Sequence, residues 1–116
     1  MKKAIALHLT DTHANNNNLD LQESIWLQAT RVCKELKIKH ICHGGDWVTS
    51  RKAQSLAVLE HLVWIKDLLA ENNIRLIGIT GNHDKVSLEA FFAYPNIFND
   101  ENFKIVEESY QEVVGD

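Results

Sequence analysis

The sequence predicts an α/β domain built on a parallel sheet, in the order β-α-β-α-β. Three short apolar runs, Ala4–Leu9, Ile38–Cys42 and Ile74–Ile79, are bounded by polar or glycine residues, as fully covered strands are. Between them lie two stretches whose apolar residues recur at helical spacing. Strands joined by helical crossovers run parallel, with right-handed connections. A length of 116 residues sets a single domain.

The first helix is expected from about Leu21 to Leu36, with Leu21, Ile25, Ala29, Val32 and Leu36 on its buried stripe and Asp20 with Glu23 as a capping box. The run Asn15–Asn18 before it is a polar loop. The second helix is expected from about Arg51 to Glu71, capped by Ser50, with Leu56, Leu59, Leu62, Val63, Ile65 and Leu69 on one face. Asn72 and Asn73 close it. A short helix near Ser87–Ala93 follows, then the only proline, Pro95, and a fourth strand at Phe103–Glu107. Gln111–Asp116 carries no stop signal and reads as a chain cut in mid-element.

An apolar fraction of 45% excludes disorder throughout, and no apolar run approaches the ~20 residues of a membrane span. No signal peptide follows Lys2 and Lys3. Cys33 and Cys42, without a CxxC pairing, read as reduced thiols of a cytoplasmic protein. With 12 Lys+Arg against 16 Asp+Glu, the net charge of −4 does not supply a bulk basic surface for nucleic acid. A bound metal would bring its own positive charge, so DNA stays open as a substrate.

In a parallel sheet, ligands bind at the carboxyl ends of the strands. The first strand is followed by Asp11-Thr12-His13, the second by His43-Gly44-Gly45-Asp46, the third by Gly81-Asn82-His83-Asp84. The steps from Asp11 to Asp46 and from Asp46 to Asn82 are nearly equal, one βαβ unit each, so all three segments return to one sheet edge. Asp11 and His13, two apart in an extended segment, are expected to point the same way. Asp46 can bridge two cations, and Asn82 offers a neutral oxygen. Oxygen and imidazole donors without thiolate suit Mn²⁺, Zn²⁺ or Fe²⁺. A metal pair about 3.5–4 Å apart would polarise a phosphoryl oxygen and activate a bridging water. His83 would then stand near the leaving oxygen, with Asp84 orienting its ring.

These three segments, in this order and spacing, resemble the first three motifs of the calcineurin-like metallophosphoesterases. The resemblance covers roughly Ala4 to Phe92. His8-Leu9-Thr10-Asp11-Thr12-His13 and Gly44-Gly45-Asp46 are also similar to the bacterial, phage and archaeal DNA-exonuclease branch, SbcD/Mre11-like. The resemblance implies the first half of a four-layer α/β/β/α sandwich and a phosphodiesterase with two divalent metals, Mn²⁺ first, with Zn²⁺, Fe²⁺ or Mg²⁺ as alternatives. Asp11 and His13 would bind the first metal, Asp46 both, Asn82 the second. His83 would be the catalytic acid, with Asp84 as its partner. The nuclease branch implies DNA repair or recombination, DNA as substrate, an SMC-like ATPase subunit as partner and a homodimer. Family members carry two further histidine motifs downstream, and no histidine follows His83 here. The expectation is therefore one domain over residues 1–116, the N-terminal portion of the family unit, truncated before those motifs and weakly active or inactive alone. Two alternatives are a metallophosphatase for a small molecule or phosphoprotein, and a non-catalytic metal-binding module that pairs with another chain.

Taken alone, Asp11 and His13 read more simply as a turn and a surface histidine, and their conjunction with the other two motifs favours metal; Asp46 as a turn cap and Asn82-His83-Asp84 as a left-handed turn are the lesser readings, less decisively for Asp84 than for His83. Arg51 at a helix start could touch a phosphate, with a surface role equally weighted. His43 stands beside the ligand scheme as a supporting residue at most, and His8, within a strand, reads as a supporting or core histidine and not a ligand. His40 and His61 read as surface residues. Trp26, Trp47 and Trp64 read as packing, and Phe91, Phe92 and Tyr94 as core.

Overall fold

A computed structural model describes residues 2–50, 54–81, 99–106 and 110–114. The elements run β1 (Leu7–Leu9), α1 (Leu19–Glu35), β2 (His40–His43), α2 (Leu56–Glu71), β3 (Arg75–Ile79) and β4 (Phe103–Val106). The four strands form one parallel sheet in the order β1-β2-β3-β4. This is the expected α/β architecture. The fourth strand forms where the sequence places it, ending at Val106. The expected Ser87–Ala93 helix, and Phe91, Phe92 and Tyr94, lie outside the described residues.

Consecutive strand order with right-handed crossovers puts α1 and α2 on the same face of the sheet. Burial alternates to match. Ile41, His43, Leu76, Gly78, Phe103 and Ile105 are buried, while Cys42, Ile77 and Lys104 between them are half-exposed. Trp26, Trp47, Leu62, Ile65, Leu69 and Ile74 complete the core, with Trp64 packed against it. The tryptophans thus pack as expected, and both cysteines are free thiols.

Helix α1 begins two residues earlier than expected and has no capping box. Its N-cap is Asn18, whose side chain makes no capping bond. That amide is engaged elsewhere: Nδ2 donates to the His13 carbonyl at 2.8 Å and Oδ1 accepts from Asn15 N. The buried stripe is Gln22, Trp26, Ala29, Thr30 and Cys33. Of the expected stripe only Ala29 is buried; Leu21 and Leu36 are 62% and 52% exposed. Two adjacent stripes compete on this helix, and the one carrying the large Trp26 ring faces the core.

Helix α2 starts at Leu56, not near Arg51. Ser55, not Ser50, is its N-cap, with Oγ accepting from Val58 N at 3.1 Å. Leu56 is 72% exposed, and His61, expected at the surface, is buried at 5% exposure. Burial lowers the His61 pKa. Both helices end alike: Ile38 N donates to Cys33 O and Ile74 N to Leu69 O, around a left-handed residue, Lys37 (φ 59°) or Asn73 (φ 56°). These are Schellman ends. Asparagine is at ease in that conformation, lysine is not.

Residues 110–114 lie against the start of β3. Arg75 donates from Nε and Nη2 to the Glu112 carboxylate at 2.6 and 2.5 Å, and the Tyr110 hydroxyl donates to the same group.

Candidate metal centre

The loops after β1 and β2 continue the parallel pairing beyond the strand ends. Gly44 N donates to Leu9 O, Asp11 N to Gly45 O, His13 N to Asp46 O and Ala14 N to Trp47 O, at 2.8–3.1 Å. This pairing fixes Asp11 and His13 against Asp46. The backbone is not extended there, contrary to the sequence expectation. Asp11 (φ 53°), His13 (φ 51°) and Asp46 (φ 54°) are all left-handed. Such a conformation costs a non-glycine residue roughly 1–2 kcal/mol, and strain of this kind collects at functional sites.

The asparagine-rich loop helps hold the strained backbone. The His13 carbonyl accepts from Asn18 Nδ2 at 2.8 Å and Thr49 Oγ1 at 2.9 Å. Asn15 Nδ2 donates to Thr49 Oγ1, and Asn15 Oδ1 accepts from Asn17 N. Gln22 Nε2 of α1 donates to Thr12 O at 2.5 Å.

Asp11, His13 and Asp46 each turn a ligand atom toward the others, all within 4.8 Å. His13 Nε2 lies 3.6 Å from Asp11 Oδ1. Asp11 is exposed and the other two are half-buried. The Thr10 hydroxyl donates to Asp11 Oδ2 at 2.8 Å and is the main cause holding that carboxyl below its usual range. Desolvation opposes it; hydrogen bonding to Asp46 and the charge of His13 reinforce it. Two carboxylates and an imidazole, with no thiolate, fit a hard or borderline divalent cation, and the cation would offset the repulsion between the carboxylates.

Glycines give Asp46 its place. Gly45 has φ 101°, and a Cβ there would lie 2.9 Å from Gly81 N. A Cβ on Gly81 would lie 2.1 Å from Asp46 Oδ1 and 2.8 Å from Asp46 N. The carboxylate therefore rests on the bare backbone after β3. Asn82, His83 and Asp84, next in the chain, lie outside the described residues, as does Arg51. The three described members of the expected set come together.

His43 is buried, and its ring stacks on Trp47 with centroids 3.7 Å apart. Its Nδ1 accepts from Gly45 N at 3.1 Å, so the proton of the neutral ring is on Nε2, 3.1 Å from Thr12 Oγ1. Desolvation lowers its pKa to about 3. His8 is not a core histidine as expected: it is exposed on β1, where the strand turns alternate side chains outward. Sequence reasoning missed Thr10, Thr12, Thr49, Asn18 and Gln22, which brace the ligands. The only signal was adjacency to the aspartate-histidine pair, and that covers Thr10 and Thr12 alone.

A parallel sheet carrying an Asp-His-Asp cluster at its carboxyl edge can hold a divalent cation there. The calcineurin-like phosphoesterase family matches residues 6–115, and the chain belongs to that family. Among solved structures, the crystal structure of Pseudomonas putida nuclease MPE is similar, with a TM-score of 0.58 and 20% identity. The match covers 92% of this chain and 50% of that one, so this chain spans half the length of that protein. At that identity the likeness is one of fold. No curated protein sequence matches. Among the described residues, no helix is long and apolar enough to cross a membrane.

Proposed function

We propose that this chain is the metal-binding portion of a phosphodiesterase that acts on DNA, of the nuclease type. The observation that carries the reading is the convergence of Asp11, His13 and Asp46, with ligand atoms within 4.8 Å. These residues would hold the first divalent ion, Mn²⁺ by preference; Asp46 would bridge to a second held by Asn82. When bound, the ion pair supplies Lewis-acid polarisation of a phosphoryl group and a hydrolytic water of lowered pKa. The chain's own part is to fix Asp11, His13 and Asp46 by backbone pairing, and to offer His83 as proton donor at the leaving oxygen with Asp84 as its partner. Support for a nucleic-acid substrate comes from the nuclease with the similar fold. A role in DNA repair or recombination in the SbcD/Mre11-like manner, a cytoplasmic setting, an SMC-like ATPase partner and homodimerisation belong to the same proposal, as does the need for further histidine ligands for full activity.

Calorimetry with Mn²⁺ on the wild type and on Asp46→Ala tests the metal reading; binding should vanish in the variant. Hydrolysis of linear duplex DNA against bis-p-nitrophenyl phosphate tests the substrate. Turnover of the small diester with none of DNA would refute the nuclease reading. Metal binding without any turnover, even with a complementing C-terminal chain, would favour the non-catalytic module.

A further inference from the structure

We propose that His43, acting through Thr12, is the positioning residue of the metal centre. The inference rests on the metal reading above and deepens it. The ligands come from two loops: Asp11 and His13 from one, Asp46 from the other. The backbone pairs those loops edge to edge. His43 hydrogen-bonds into both, through opposite edges of one ring. Nδ1 accepts from Gly45 N, the residue before Asp46, and Nε2 meets Thr12 Oγ1, between Asp11 and His13, both at 3.1 Å.

The hydrogen bonds form a directed chain. Gly45 N–H donates to Nδ1, Nε2–H donates to Thr12 Oγ1, and the Thr12 hydroxyl donates to Trp47 O at 3.4 Å. Each group uses one donor and one acceptor, and the chain closes on the residue after Asp46. The ring that carries it is packed against the core. It stacks on Trp47 at 3.7 Å and 15°, and Trp26 runs parallel to it at 6.0 Å and 10°. Trp26 belongs to α1 and His43 to β2, so the orientation of the ring is set by the core and transmitted outward to the two loops. Supporting hydrogen bonds of this kind affect metal affinity by about 10–100-fold.

The test uses two conservative variants. Thr12→Val keeps the volume and removes the hydroxyl. His43→Asn keeps an acceptor where Nδ1 stands and loses the reach to Thr12. Ile38→Val, a buried residue at the end of α1 away from both loops, is the stability control. Mn²⁺ affinity is measured by calorimetry and the melting temperature by circular dichroism with chelator present. The inference expects Thr12→Val and His43→Asn each to weaken Mn²⁺ binding at least tenfold, and the double variant to be no weaker than the worse single one. Ile38→Val should lower the melting temperature and leave affinity within twofold. If Thr12→Val and His43→Asn bind Mn²⁺ as the wild type does, whatever their melting temperatures, the positioning role is overturned and the metal reading stands. If the wild type itself binds no Mn²⁺, both fall.

Discussion

Replacing Gly81 with alanine is a direct test of where the Asp46 carboxylate sits. The new methyl group would lie 2.1 Å from Oδ1, 2.6 Å from Cγ and 2.8 Å from the backbone nitrogen of Asp46. Ordinary contact requires a shift of about 1 Å or more. Rotation of the carboxylate would relieve the first two contacts but not the third, so the Asp46 backbone must also move. That backbone is already left-handed and is tied to His13 N through the Asp46 carbonyl, so the displacement passes to a second ligand. Overpacking of this kind costs roughly 1–3 kcal/mol in stability. Moving a ligand out of a three-donor cluster should weaken Mn²⁺ binding about 10–100-fold, comparable to losing its supporting bonds. Calorimetry reads the second effect and a urea titration the first. An alanine variant with wild-type affinity would refute the placement of Asp46 against the β3 turn.

The buried neutral His43 makes the fold acid-sensitive. Its folded pKa is lowered to about 3 from 6.5, so the unfolded chain takes up a proton that the folded one refuses. Stability is complete above pH 6.5, falls as pH drops through that value, and levels near pH 3. Between pH 7 and 5 the loss is about 2 kcal/mol, and a flat urea midpoint over that range would contradict it. Lys37→Gly, which relieves a left-handed lysine at the end of α1 (φ 59°), should stabilise by about 0.5–1 kcal/mol, read as a higher melting temperature. Glu112→Gln leaves the Arg75 guanidinium without its carboxylate and should cost about 1 kcal/mol in urea, no more, because both groups are partly solvated. Leu69→Ala, at a fully buried position of α2, should cost roughly 2–5 kcal/mol.

The sheet was legible because its signal is regional. Apolar runs such as Ile38–Cys42 and Ile74–Ile79 fall within a residue or two of β2 and β3 whatever the details. The convergence of Asp11, His13 and Asp46 was legible because aspartate and histidine after a strand carry chemistry that neighbouring turn residues lack. Other features depended on choices between near-equals. Leu21 and Gln22 head adjacent stripes of α1, and the outcome was decided by Trp26 four residues further on and by the Gln22 bond to Thr12. The cap expected at Ser50 falls at Ser55, which has Val58 N within reach. The left-handed backbone at Asp11 and His13 had no local warning, because it follows from pairing with a loop that lies more than thirty residues away. His61 looked like a surface residue beside Glu60, yet α2 rotates it inward with Leu62 and Ile65.

Each strand in this sheet lies beside the one that precedes it in the chain. Growth can therefore proceed by accretion, strand upon strand, although each parallel closure spans a long intervening segment and is slow to form. Docking of β2 on β1 brings the loops of Asp11, His13 and Asp46 together, and the turn after β3 then seats the Asp46 carboxylate. The cation-binding edge is therefore finished only when the third strand arrives, and ion capture follows the assembly of the sheet instead of seeding it.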